Sequence, residues 1–481
     1  MSARPYCCAA RGGGDERCQH AREHRSQLLP AAGRQQQGSL IGTFEARHPS
    51  AERLAAGKAL REKVPRTSHA TYETHADRPD PVGILEKQNT TRVRKLVPVR
   101  YARMLASSFT FLRGLAVAAC GDMHVSNFGV YASAERTLVF GINDFDEVHP
   151  GPWEWDVKRL AASAAVAVRF MGGDDDEAQD AARACVRSYR KRIRRYAEMG
   201  YLEVWYDHID DHAVLEALSP RVRRSAEKLL DKARAKGHIR SLDKLTEQVD
   251  GEPRIVEDIP LIVRETHTDH GVPIRAALDQ MLGAYIDTLP VDRRRLLARY
   301  RIIDAARKVV GVGTGCWVIL LEGVDNEDPL FLQVKEAQPS VLAPYVDIAV
   351  AMDNHGQRVA VGQRATQGSP DIFLGWGEVD GRHFYVRQLA DMKGSASFVE
   401  GEEKGIAGFI EYCGLCGWAL ALAHAKSGDP AMIAGYCGSS ATLDDAIADF
   451  ALAYARQTEQ DHEALDQARR WGRIRSRPRR W

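Results

Sequence analysis

Gly121-Asp122-Met123-His124-Val125-Ser126-Asn127-Phe128, followed by Ile142-Asn143-Asp144-Phe145-Asp146, is the stretch on which the reading of this chain turns. An Asp, an Asn five positions later and then a second Asp offer one group able to take a proton and two hard oxygen ligands suited to magnesium. Leu115 to Cys120 and Leu138 to Ile142 flank them as short β-prone runs. Both polar turns are therefore expected at strand ends that face one cleft. Transfer of a phosphoryl group requires such a set, because it needs little covalent help but does need cations and a carboxylate that orients the nucleophile.

Asp122 and Asn127 keep the D-x-x-x-x-N spacing of a protein-kinase catalytic loop, and Asp144 stands where such enzymes place their second metal ligand. The spacing casts Asp122 as catalytic base and Asn127 and Asp144 as magnesium ligands, with His124 and Asp146 in support. Two other readings fit the same residues. One is a tight turn rich in Asp and Asn, as hairpins commonly are. The other is a dinuclear metallophosphatase, since Gly-Asp-x-His also suits that chemistry; it needs further ligands, for which Asp353-Asn354-His355 is the candidate.

The chain has 481 residues, long enough for two lobes or domains, and 44% hydrophobic content fits a soluble globular protein. Its 66 basic and 65 acidic residues leave a formal charge of +1, so no global field favours nucleic acid or a membrane surface. No apolar run of about 20 residues is read as a membrane span, no signal-peptide core follows Met1, and a cytoplasmic location is expected. Nine cysteines, an odd number, suit reduced thiols. Cys413 and Cys416 form a C-x-x-C without a second pair at zinc spacing, which points to core packing.

Residues 1 to about 40 carry Gly12-Gly13-Gly14 and Gln35-Gln36-Gln37 with little apolar content, so the chain is expected to start with a disordered extension. Arg100, Arg103 and Arg113 read as surface ion-pairing residues, with phosphate contact as the alternative. Gly151-Pro152-Trp153-Glu154-Trp155-Asp156 leads into Ala161-Ala162-Ser163-Ala164-Ala165, the composition of a closely packed helix. Asp156, in its first turn, is expected to cap that helix or to brace the catalytic loop. Residues 176 to 245 are charge-rich and helical in pattern, with Val186, Tyr189, Ile193 and Tyr196 on one face and Arg187 to Arg195 on a solvated one. Gly251, Pro253 and Pro260 mark a looser connection.

The second informative stretch runs from Lys308 to Gly323 and on through Leu330-Phe331-Leu332-Gln333-Val334-Lys335-Glu336-Ala337. Gly311, Gly313 and Gly315 let backbone N–H groups approach phosphates, and a strand lysine, Lys335, is placed to pair with them. A glutamate on the following helix would hold such a lysine. None occurs between Glu336 and Glu378, so Gln363, on the expected helix Gln357 to Thr366, is assigned as a neutral partner. Phe384 to Leu389 reads as a further strand, and Ile406 to Ala425 as a core helix in which His424 is structural. The tail from Arg469 to Trp481, with seven arginines, reads as a solvated terminus.

Here the glycines and lysine follow the catalytic loop instead of preceding it. The expected fold is α+β and kinase-like, two-lobed and circularly permuted, which is tolerable where termini lie close together. The organisation expected is a flexible extension over 1–56, the catalytic-loop part of the large lobe over 57–175, a helical insertion and connection over 176–300, a nucleotide-binding sheet over 301–400, helices completing the large lobe over 401–466, and a basic tail over 467–481.

Gly121 to Gly129, Asn143 to Glu147, Pro152 to Arg159, Gln333 to Ala337 and Phe384 to Leu389 together resemble a bacterial family catalogued as domain of unknown function 2252. The resemblance extends from about Gly57 to Asp449. That family is grouped with the protein-kinase-like superfamily, near aminoglycoside and choline phosphotransferases. The resemblance implies Asp122 as base, Asn127 and Asp144 on magnesium, and Lys335 on the phosphates of ATP. It supplies no acceptor.

The function expected is ATP- and magnesium-dependent transfer of phosphate to a hydroxyl of a small molecule or protein. The alternative is a catalytically inactive kinase-like module that binds nucleotide or works by interaction. A third reading transfers AMP on the same fold.

Overall fold

The computed structural model describes residues 48–73, 78, 80–89, 115–235, 245–249, 251–259, 261–265, 273–308, 315–325, 327–346, 348, 352–389, 394 and 405–473. The expected N-terminal disorder, the arginines at 100, 103 and 113, Gly311, Gly313 and the end of the basic tail lie outside the described residues. What is described from His48 onward is a mixed α+β structure.

Helices α1 (Ser50–Lys63) and α2 (Pro81–Asn89) lead to four short strands, β1 (Ala116–Ala119), β2 (Phe128–Ala132), β3 (Leu138–Ile142) and β4 (His149–Pro152). β1 pairs antiparallel with β4, and β2 with β3. The two motif turns sit between these strands, as their apolar flanks predict. Next come α3 (Trp153–Phe170) and α4 (Asp175–Glu198). α3 buries Ala161, Ala164 and Ala165 completely, which lets neighbouring helices approach its backbone. α4 opens with a reciprocal cap: the Asp174 carboxylate accepts from Glu177 N–H, and the Glu177 carboxylate accepts from Asp174 N–H.

Short helices α5 (Tyr201–Tyr206) and α6 (Asp211–Ala217) flank β5 (Ile209–Asp210), which joins β3 at its edge, and α7 (Pro220–Arg234) follows. β6 (Thr246–Val249) and β7 (Glu252–Ile255) form a hairpin. The looser connection expected around Gly251 and Pro253 is thus part strand. Ile255 N–H donates to Asp304 Oδ2 at 2.7 Å, and the Ile255 side chain is buried against the larger sheet.

That sheet is six-stranded and antiparallel. It contains β8 (Ile262–Val263), β9 (Arg301–Lys308), β10 (Cys316–Glu322), β11 (Pro329–Ala337), β12 (Gly375–Val379) and β13 (Arg382–Gln388), in the order β12-β13-β11-β10-β9-β8. Two helices precede β9, α8 (Ile274–Asp287) and α9 (Val291–Leu297), and α10 (His355–Thr366) lies between β11 and β12. Side chains alternate across the sheet. Ile319 and Leu321 pack with Leu278, Met281 and Tyr285 of α8, while Val318 and Leu320 face Ile255 and Ile303.

Helices α11 (Ile406–Ser427), α12 (Pro430–Cys437) and α13 (Thr442–Arg470) complete the helical part. α11 packs along α4, so residues from within 176–300 and from beyond 400 share one core. By length and composition α11 is apolar enough to cross a bilayer, unlike the sequence expectation, yet 67% of that window is buried inside the protein. An apolar surface on every side suits a helix enclosed by others. Cys185, Cys413 and Cys416 are buried and free, as core packing requires. Arg190 and Arg192 depart from the solvated face expected for their run. Arg190 forms a two-pronged bond to buried Asp444 at 2.8 and 2.7 Å, and Arg192 lies over the Trp418 ring.

Candidate functional site

β1 delivers the chain to Gly121, whose φ of +77° suits a residue without a side chain. The turn is held from below by Asp156 in the first turn of α3. Its carboxylate accepts from Cys120 N–H at 2.6 Å and from Gly121 N–H at 3.0 Å. Of the two roles expected for Asp156, the hydrogen bonds correspond to the brace. His424 Nε2 lies 3.3 Å from Asp156 Oδ2, and its other ring nitrogen meets the Tyr189 hydroxyl at 2.8 Å. All three side chains are buried, so the brace is itself held rigid.

Asp122 is half-buried. Arg159, one turn after Asp156 on α3, donates to its Oδ1 at 2.9 Å, while His124 Nε2 stands 3.8 Å from Oδ2. Asn127 donates its amide N–H to the Asp122 carbonyl at 2.6 Å. The two motif halves are stitched by the Asn143 N–H, which donates to the Asn127 carbonyl at 2.8 Å.

Asp144 follows. Burial alone would raise its pKa, but the charges of Lys335 and Arg387 outweigh burial and hold the carboxyl below its ordinary value. Asp122 opposes this as a like charge, which places the two carboxylates in one electrostatic neighbourhood. Lys335 is the converse case. Burial favours its neutral form, yet Asp144 and Asp146 outweigh that and raise the ammonium above its usual range.

Lys335 Nζ bonds to Asp146 Oδ2, and the Tyr385 hydroxyl donates to Asp146 Oδ1 at 2.7 Å. The lysine's acid is therefore Asp146, the last residue of the Asn-Asp-Phe-Asp turn. This corrects the assignment of Gln363, whose amide instead donates to Gln367 Oε1 at 2.8 Å. Gly315 N–H donates to Glu336 Oε2 at 2.9 Å, next to Lys335 on β11. Of the three glycines assigned to phosphates, only Gly315 falls within the described residues, where its N–H is occupied by that carboxylate.

Three residues of the site had no role in the sequence reading. Tyr385 lies directly across from Lys335 in the β11–β13 register, and Arg387 across from Gln333. A period of two puts Lys335, Gln333, Tyr385 and Arg387 on one face, a signal present in Gln333-Val334-Lys335 and Tyr385-Val386-Arg387. Arg387 donates to Gln333 Oε1 at 3.0 Å and to the Asn143 carbonyl at 3.1 Å. Arg358, buried on α10, donates to the carbonyls of Asp146 and Gln338, both at 2.8 Å, and also to that of Val148. No local pattern announces that staple.

Among the described residues no three His, Cys, Asp or Glu side chains are grouped to hold a metal. The Asn354 side chain caps α10 by accepting from Gln357 N–H at 3.0 Å, and His355 packs edge-on against His383. The metallophosphatase reading therefore gains no further ligands from that segment.

The chain matches no curated protein and no solved structure. The sequence model of one bacterial protein family, described as uncharacterized proteins conserved in bacteria, does match, over residues 92–468. That span takes in both motif turns, the lysine strand, the stapling helix and the bracing histidine, and so the chain belongs to the DUF2252 family.

Proposed function

We propose that this protein is a phosphotransferase of circularly permuted, kinase-like fold that uses ATP and magnesium to phosphorylate a hydroxyl of a small molecule or protein. One observation carries the reading: Lys335, on a strand of the six-stranded sheet, is paired with the turn that bears Asp144 and Asp146. A strand lysine beside a magnesium-type carboxylate is what neutralising a transferred phosphate requires.

The donor set fits magnesium. That ion commonly takes one or two protein oxygens and completes its shell with water and phosphate, so a group of three acidic or histidine ligands is not needed. Asn127, with its amide nitrogen engaged on Asp122, and Asp144, kept ionised by two cations, would hold it. Lys335 would meet the phosphates. Asp122 would accept the hydroxyl proton, with Arg159 on Oδ1 fixing the carboxylate's orientation.

That same contact favours a second reading, a nucleotide-binding module without catalysis, because an arginine on the base competes with the incoming hydroxyl. Calorimetric titration of MgATP into wild type, Asp144→Asn and Lys335→Ala tests the cleft. Magnesium-dependent binding that weakens at least tenfold in both variants supports it, and no binding to the folded wild type at millimolar MgATP overturns it. Label from γ-labelled ATP on an acceptor separates the enzyme from the module. Label from α-labelled ATP alone would mean AMP transfer.

A further inference from the structure

A cavity of about 110 Å³ opens between the β2–β3 hairpin, the C-terminal end of α10 and β13. Its described lining includes Asn143, Gln363 and Arg387 but none of Asp122, Asn127, Asp144 or Lys335. It is therefore a second site that touches the first through Asn143 and Arg387.

Gln363 is 4% exposed, and its Oε1 has no hydrogen-bond partner. The orientation of that amide is set by a directed chain. Gln367 Nε2 donates to the Ile142 carbonyl at 3.0 Å, so Gln367 Oε1 is the acceptor for Gln363 Nε2. Gln363 lines the cavity with its amide oxygen left without a donor, and a buried amide oxygen in that state costs free energy on the order of 1–3 kcal/mol. Across from it, Arg387 spends Nε on Gln333 and Nη1 on the Asn143 carbonyl, and Nη2 bonds to none of the described residues. Asp371 also lines the cavity, but its two oxygens accept from Phe373 N–H and Gln388 N–H. Its charge also reaches Arg387, where burial, which disfavours the cation, is outweighed by Tyr385, Asp144, Asp146 and Asp371 together.

We propose that this cavity binds a small hydroxy- or amino-carboxylate, its anionic oxygens on Arg387 Nη2 and its O–H or N–H on Gln363 Oε1. The volume is several times what one water molecule needs, and the two polar groups call for opposite ends of one compact molecule. Binding here does not depend on the phosphotransferase reading. If that reading holds, the ligand acts as a regulator, since Arg387 also donates to the carbonyl of Asn143, the residue before Asp144.

The test is calorimetry of the full-length protein with lactate, serine, acetate and lactamide as probes. Wild type should bind lactate or serine saturably at millimolar concentration and should bind acetate and lactamide at least tenfold more weakly. Gln363→Leu and, at the exposed rim, Ala134→Trp should each lower affinity at least tenfold. Lys335→Ala should retain it, which separates this cavity from the nucleotide cleft. The proposal is overturned if folded wild type binds neither lactate nor serine, if acetate or lactamide binds as well as they do, if both cavity variants bind like wild type, or if Lys335→Ala abolishes binding.

Discussion

Lys335 and Asp146 lie 189 positions apart in the chain, yet the lysine's ammonium ends on the aspartate's Oδ2. With side-chain exposures of 13% and 19%, the pair is neither fully solvated nor fully buried. Lys335→Met should therefore cost about 2 kcal/mol, between the values for surface and buried pairs. Asp146→Asn should cost a similar amount. The double variant should be more stable than the sum of the two by about 1 kcal/mol, read from urea midpoints at constant m.

Asp156→Asn leaves one acceptor where the wild type offers two, and turns a donor toward Gly121 N–H or toward His424. Unfolding free energy should fall by about 2–3 kcal/mol, the range for hydrogen bonds to a buried charge. Asp156→Glu should not rescue it, since the longer side chain cannot meet Cys120 and Gly121 N–H together. Thermal melts of the three proteins check both statements.

Gly417 and Gly414 sit on the same helix with opposite surroundings. A Cβ at Gly417 would stand 2.1 Å from the Cys185 carbonyl oxygen of α4, whereas one at Gly414 meets nothing within 4 Å. Gly417→Ala should destabilise by about 2–3 kcal/mol through forced separation of α4 and α11. Gly414→Ala should stabilise by about 0.5–1 kcal/mol through helix propensity. A difference in sign between the two melting shifts is the readout.

His69 is fully buried against Tyr436, and burial, reinforced by the positive charge of Lys158, lowers its pKa to about 3. The unfolded chain takes up a proton near pH 6.5 that the folded chain refuses until pH is far lower. This group's contribution is therefore complete above pH 6.5 and is lost progressively as pH falls toward 3. Between pH 6 and 5 it contributes up to about 1.4 kcal/mol per pH unit to the slope of stability. His69→Asn should flatten that slope by about one proton, measured by denaturant titration at each pH.

Much of this architecture is written in short-range pattern. The apolar runs beside Asp122 and Asp144, the alanines of α3, the helix carrying Gln363 and the strand carrying Lys335 all occur where the residues indicate. The sequence points downstream, to a following helix, for the acid that holds Lys335, whereas the structure has it far upstream at Asp146. Nothing local marks it, because the pairing depends on which strand of the sheet faces which turn. Arg358 is silent in the sequence for the same reason, since its partners are backbone carbonyls and carbonyls leave no trace there. Gly251, Pro253 and Pro260 mark a connection, but Glu252–Ile255 within it is a strand whose Ile255 N–H donates to Asp304 on β9.

The Arg358 staple has a consequence for control. Its bonds run from a guanidinium that stays charged across the physiological range to carbonyl oxygens that do not titrate, so α10 and the Asp146 turn are joined by a link insensitive to pH and only weakly to salt. The adjustable contacts lie on the side of the turn that faces the sheet, where Lys335 can exchange one anion for another. The clamp reaches the sheet as well, since Gln338 follows directly on β11 and Arg387 of β13 donates to the Asn143 carbonyl, so α10, the turn and the sheet edge keep their spacing while Lys335 changes its anion.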